Sequence, residues 1–231
     1  MIPGTSKLSL LLLQFYKVCD SAAGCSSLPP VDVTPCLASI TTTDNGEYDV
    51  ALTKYRVAAA AAPHSAQLWN NVGMAFFGKR KFVAALACLK RAHYLDSLEW
   101  IIAYNLGLVH LHTGQFASAF HFLSAAISLK PGHAPSYALL GAVLMRLEDH
   151  HNACGAYKRA LAIDDDAVTR LNYAVSLWNA EQDDEARAQF AQFASQWSPT
   201  SDDEINEVVT KASAAAQALG VKFTPPSARP A

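Results

Sequence analysis

Charge is scarce in this sequence. Only 16% of its 231 residues are Asp, Glu, Lys or Arg, and 18 basic against 20 acidic side chains leave a formal net charge of −2. A nucleic-acid footprint needs a basic excess gathered on one face, and this balance argues against one. Glycine and proline number 11 each, too few for a collagen-like or low-complexity chain. The five cysteines, Cys19, Cys25, Cys36, Cys88 and Cys154, are odd in number and unevenly placed. They form no CxxC pair and no Cys/His set with zinc spacing, so neither a disulfide framework nor a zinc module is supported. Long apolar runs are also missing. Residues 8–16 (LSLLLLQFY) fall well short of the roughly 20 needed to span a membrane. With Lys7 before them and Ser21-Ala22-Ala23 after, they have the outline of a signal peptide, but the basic flank is thin. An unstructured or loosely docked N-terminal segment is the preferred reading. Instead the chain offers 51% hydrophobic residues and 41 alanines. Alanine is the best helix former and a poor space filler, so many closely packed helices are expected.

Texture changes near residues 43–46. Residues 1–43 hold only Lys7, Lys17, Asp20 and Asp32 as charges and show no sustained helical period. Beyond them a fixed interval governs the chain. Gly73, Gly107 and Gly141 are spaced by 34, and so are Ala51, Ala85, Ala119 and Ala153, with Ala186 following after 33. Pro63, Ser97, Pro131 and Asp165 keep the same interval. Three series in phase are the signature of a stacked repeat. Small residues let two antiparallel helices approach, so the spacing predicts that each Gly, mid-way along a first helix, marks a crossing with an Ala mid-way along a second. Phe76, Phe82, Leu89, Phe116, Leu123 and Tyr157 would fill the space around it. Ser65 is placed to cap the helix that follows.

This pattern resembles the tetratricopeptide repeat. Trp69, Leu68 and Gly73 stand as in the family's first helix, with Phe76 in its Tyr slot, and Phe82, Ala85, Leu89 and Ala92 continue through the second. The resemblance implies an all-α, right-handed α-α solenoid. It divides the chain into a half repeat over 44–65 (second helix only), repeats over 66–99, 100–133 and 134–166, and a degenerate repeat over 167–197. Residues 201–220 form a capping helix opened by the box Ser201-x-x-Glu204, and 221–231 a flexible tail. The residues that define the repeats are Trp69, Gly73, Ala85, Gly107, Ala119, Pro131, Gly141 and Ala153. Because the half repeat lacks its first helix, the surface around Tyr48, Leu52 and Tyr55 is expected to lack a neighbour.

Candidate chemistry is thin. No HExxH, Walker loop, GxSxG or dinucleotide fingerprint occurs. His110 takes the slot that Phe76 fills one unit earlier, a packing position, and His150-His151 is expected in a turn. Asp164-Asp165-Asp166 reads as a solvated turn rather than a cation site, and Cys88 and Cys154 as structural thiols. No enzyme, cofactor, metal site, nucleic-acid surface or integral membrane span is expected. A partner-binding groove along the first helices is expected instead, with Asn71, Asn105 and Asn172 in equivalent slots, Leu139 interrupting, and Tyr104 and Met74 nearby. Asparagine both donates and accepts. A ladder of these side chains suits an extended peptide, and equally suits bonds between stacked helices. Pro135, Leu139 and Met74 stand where a carboxylate clamp for chaperone C-termini needs basic residues or Asn.

Runs such as LWNNVGMAFFGKRKFVAALACLKRAHYL and YNLGLVHLHTGQFASAFHFLSAAI also resemble the tetratricopeptide subunits of the BBSome. The resemblance implies a non-enzymatic scaffold in ciliary membrane-protein transport and cilium assembly. It implies other BBSome subunits as partners, with centriolar-satellite and dynactin components, and a cytoplasmic place at the centrosome, satellites, basal body and cilium. A free-standing receptor for extended peptides is the rival expectation.

Overall fold

The computed structural model describes residues 45–197 and 202–223, leaving aside the side chains of 45–47 and 202–207. The expectations for residues 1–43, the Ser201–Glu204 capping box and the tail from 224 onward lie outside the described residues. Ten helices and no strand are found among the described residues. They are α1 (Asn45–Ala61), α2 (Ala66–Gly78), α3 (Phe82–Leu95), α4 (Trp100–His112), α5 (Phe116–Leu129), α6 (Ala134–Arg146), α7 (His150–Ile163), α8 (Ala167–Asn179), α9 (Asp183–Gln196) and α10 (Asp202–Leu219). The fold is an all-α tetratricopeptide-type solenoid in class. The chain divides into two compact bodies, with α1–α5 in one and α6–α10 in the other.

Local chemistry sets the helix ends. Ser65, Asp149 and Asp166 each accept a backbone N–H from the first turn of α2, α7 and α8, satisfying one of the orphan donors there. The first helices stop in one way. Arg80, Gly114, Glu148 and Glu181 all adopt left-handed backbone, with φ of 58°, 73°, 63° and 60°. Behind them Lys81, Gln115, Asp149 and Gln182 donate back to the carbonyls of Phe76, His110, Leu144 and Leu177. This is the Schellman closure, made with glycine at only one of its four occurrences. His150 and His151 open α7 as its first two residues rather than standing in the turn.

The crossings differ from the expectation in one respect. Ala85, Ala119, Ala153 and Ala186 are wholly buried, but each is the fourth residue of its helix, in the first turn and not mid-way. What meets each glycine is the large residue 16 positions later. A Cβ added at Gly73 would lie 2.7 Å from Leu89 Cγ, one at Gly107 2.6 Å from Leu123 Cγ, and one at Gly141 2.8 Å from Tyr157 Cζ. The Ala85 carbonyl stands 3.2 Å from the first of these positions. Small residues on the first helix therefore admit a bulky side chain from the second. Burying each Leu contributes about 1.5–3 kcal/mol.

In the first body, Ala51 and Tyr55 of α1 pack with Leu68, Val72 and Ala75 of α2. Ala85, Leu89, Ala92, Ile102, Leu106 and Val109 join α3 to α4. The surface expected to lack a neighbour is corrected here. Tyr55 is only 1% exposed, the Tyr48 ring fills the space beside Gly78, and Leu52 is half-buried. The large apolar residues that α1 does leave in solvent are Val50 and Val57. In the second body, Phe190 and Phe193 of α9, with Trp197 just past its end, pack in one cluster with Val208, Ala212, Ala215, Ala216 and Leu219 of α10. Gly220, at φ 67°, turns the chain so that Phe223 stacks on Phe193 at 6.1 Å.

Candidate partner-binding surfaces

Part of the asparagine row is tied within the first body. Asn105 on α4, buried, donates from Nδ2 to Asn70 Oδ1 on α2 at 2.8 Å, and Asn70 lies 3.4 Å from Asn71 Oδ1. The acceptor is Asn70, a residue the fixed spacing did not mark. Asn71 itself is half-buried. Asn172, in the other body, is 3% exposed, and its Nδ2 finds no partner among the described residues. Ala138 stands where repetition of Asn70 would put an acceptor. Tyr104 is buried, and Met74 packs onto the cluster around Leu89 and Ile102.

The repeat-defining residues hold structural contacts. Trp69 donates from Nε1 to the Pro63 carbonyl at 2.9 Å, and the Arg91 guanidinium lies 4.0 Å above its ring, an arrangement that attracts a cation. Lys130, just before exposed Pro131, lies 3.9 Å over Trp100 in the same way. Gly73, Gly107 and Gly141 stand at the crossings against Leu89, Leu123 and Tyr157, with the Ala85 carbonyl beside the first.

His110 and His112 pack with aromatic rings. His110, 3% exposed, stacks on Phe122 with centroids 5.4 Å apart and planes 3° apart. Its Nδ1 meets Gln115 Oε1 at 2.6 Å. Burial pushes its pKa down, against a smaller upward pull from Gln115. His112 packs against Phe77 and Phe82, and burial together with the Arg80 charge lowers its pKa too. Both imidazoles are thereby biased to the neutral form. Burial also raises the Cys88 and Cys154 thiols, away from the thiolate that nucleophilic chemistry needs.

One polar centre escaped the sequence reading. Arg170 of α8, 9% exposed, donates to the side-chain carbonyls of Gln196 at 3.1 Å and Gln189 at 2.8 Å, and also to Gln192. It further pairs with Asp165. The three glutamines recur at i, i+3 and i+7 on α9, one face of a helix, and that spacing was the available signal. Asp166 caps α8 through Thr169 at 2.8 Å, so two of the three consecutive aspartates are occupied within the fold. No group of three or more His, Cys, Asp or Glu able to hold a metal occurs among the described residues. No helix among them is long and apolar enough to cross a membrane.

Comparison with known proteins fits this arrangement. Residues 44–97, 79–134 and 134–166 match the tetratricopeptide repeat. The chain is 50% identical over 181 residues to the mouse (Mus musculus) "BBSome complex member BBS4", covering 75% of this chain and 35% of that protein. With the Xenopus tropicalis protein of the same name it shares 57% identity over 132 residues, 57% of this chain and 26% of that one. It thus spans about a quarter to a third of the length of these curated relatives. Among solved structures, Pseudomonas aeruginosa pilF superposes with a TM-score of 0.66 at 17% identity, over 89% of this chain and 90% of that one. At that identity the likeness concerns the fold alone.

Proposed function

This chain belongs to the tetratricopeptide repeat family, and from that premise we propose that it is a non-enzymatic protein–protein interaction scaffold, a BBSome subunit acting in ciliary membrane-protein transport and cilium assembly. The observation that carries this reading is the identity of one residue in two over 181 residues with a protein named as a BBSome complex member. Other BBSome subunits are the partners this reading assigns, with centriolar-satellite and dynactin components as further ones. Its place is the cytoplasm, at the centrosome, satellites, basal body and cilium.

A repeat array suits the role physically. Each helix pair buries one face on its neighbour and leaves another for a partner. In this reading Asn71, Met74, Tyr104, Asn105 and Asn172 belong to the first-helix side that meets partners. Asn105 is already spent on Asn70, which favours the inter-helix role of these asparagines over a peptide-gripping ladder.

The test is affinity purification of the tagged chain from ciliated cells with quantitative mass spectrometry. Recovery of the other BBSome subunits in fixed stoichiometry, with enrichment at the ciliary base, is expected. Recovery of the chain alone, or only with substoichiometric extended peptides, would overturn the assignment. The second of these outcomes is what a free-standing peptide receptor would give.

A further inference from the structure

Helix α3 carries a face that the repeat does not require. Val83, Ala87, Lys90 and Tyr94 fall at i, i+4, i+7 and i+11, on one side of the helix, and all four are exposed. Val83 is 86% and Tyr94 88% exposed, and Leu98, just past the helix end, is 75% exposed. In the other complete repeats the slots of Val83 and Tyr94 hold Ala117 and Ser128, His151 and Ala162, and Asp184 and Ser195. These residues are exposed too, and none is a large apolar side chain. The slot therefore faces water by construction, and bulk at both of its ends in α3 has no packing explanation. Single exposed apolar residues are ordinary, but a cluster on one face marks an interaction site.

Along α3 itself the charge on this face has one sign. α3 contains no carboxylate. Lys90, one turn before Tyr94 and two turns after Val83, is exposed and forms no ion pair among the described residues. Nearby, the Asp96 carboxylate is turned to its own backbone, accepting the Leu98 N–H at 3.1 Å. At 1.5 Å per residue, Val83 and Tyr94 stand about 16 Å apart along the axis, three helical turns with a free cation between two apolar knobs. A partner helix lying alongside meets this spacing when it carries apolar residues at matching turns and an acidic residue between them.

We propose that the outer face of α3, formed by Val83, Lys90 and Tyr94 and extended by Leu98, docks an acidic amphipathic helix of a partner protein. The proposal goes beyond the scaffold assignment. It concerns a second helix rather than the first-helix groove, and it stands whichever assembly the chain serves.

The probe is a fluorescein-labelled 18-residue helical peptide with Leu at i, i+4 and i+11 and Glu at i+7 and i+8, titrated with the whole chain and followed by anisotropy. Saturable binding is expected, weakened at least tenfold by Tyr94→Ser and by Val83→Ser, as for truncated anchors at an interface centre. Lys90→Glu should abolish it and restore affinity for a peptide with Lys in place of Glu. Thermal unfolding of the variants should match the parent, because these side chains are exposed. Four results would overturn the proposal. The peptide does not bind, or the Lys peptide binds the parent equally well. Alternatively, the same substitutions abolish self-association in sedimentation, making a second copy the occupant, or abolish binding to phosphatidylserine vesicles, making it lipid.

Discussion

Replacing the crossing glycines by alanine tests the packing of the array most directly, because a neighbouring glycine serves as the control. In open helical surface, Gly→Ala stabilises by about 0.5–1 kcal/mol through backbone entropy. Gly155, exposed on α7 with nothing within 4 Å of an added Cβ, should show that gain. At Gly141 the same methyl would meet three Tyr157 ring atoms at 2.8–2.9 Å, where carbon pairs settle near 3.5–4.0 Å. Tyr157 is wholly buried, and a rigid ring cannot relieve the clash by bending. Overpacking of this kind costs about 1–3 kcal/mol, more than the entropic gain, so Gly141→Ala should lose stability. Gly73→Ala and Gly107→Ala face leucines at 2.7 Å and 2.6 Å. Their flexible branches yield more easily, so smaller losses are expected. A domain of this size shifts by about 2–4 °C per kcal/mol in thermal melts. Repeat arrays can depart from two-state unfolding, so hydrogen exchange of the α6 and α7 amides should accompany the melt. A Gly141→Ala protein as stable as Gly155→Ala, with unchanged protection in α6 and α7, would refute the role given to the crossing.

The four left-handed closures predict a second ordering. Glu148→Gly and Glu181→Gly should each gain a few tenths to about 1 kcal/mol, since a side chain at positive φ is strained, whereas Gly114→Ala should lose about 1 kcal/mol; thermal unfolding of the three variants checks the order, and its reversal refutes it. The buried imidazole predicts a pH dependence. Burial holds the folded pKa of His110 below its ordinary 6.5, so the unfolded state binds the proton more readily. Its effect is absent above about pH 6.5, and stability falls as pH drops from there toward the folded pKa. His110→Phe, which installs the residue found in that slot one repeat earlier, should flatten the fall in urea-unfolding free energy between pH 7.5 and 5.5, and an unchanged slope would place the proton uptake elsewhere.

The fold was legible because the residues that create it recur. Gly73, Gly107 and Gly141 return at a fixed interval, since every repeat must solve the same crossing with the same small residue. The partner at each crossing was less visible. Leu89, Leu123, Tyr157 and Phe190 share a slot but not an identity, because several bulky shapes fill it. The first-helix stops were hidden for a different reason. Backbone hydrogen bonds from the following residue hold Arg80, Glu148 and Glu181 in a conformation usually signalled by glycine. The Asn105–Asn70 bond was missed because its separation is 35 rather than 34. Side chains reach between helices along the stack, so their partners need not sit one period apart.

This distinction separates two kinds of residue. A position that keeps the period reports a contact each repeat makes with a copy of itself, and it explains the fold without distinguishing one array from another. A position that breaks the period reports a contact with something else. Arg170 breaks it in the degenerate repeat, where three glutamine carbonyls and Asp165 compensate its near burial. An uncompensated guanidinium there would be strongly destabilising, so the hub ties α8 to α9 by hydrogen bonds where the consensus pattern has weakened. Val83 and Tyr94 break the period as well, but outward, and none of the described residues covers them. A period-breaking residue satisfied inside the structure belongs to stability, whereas one left exposed and apolar points to a partner. By that criterion the individuality of this array lies in residues such as Val83 and Tyr94 on the outer face of α3.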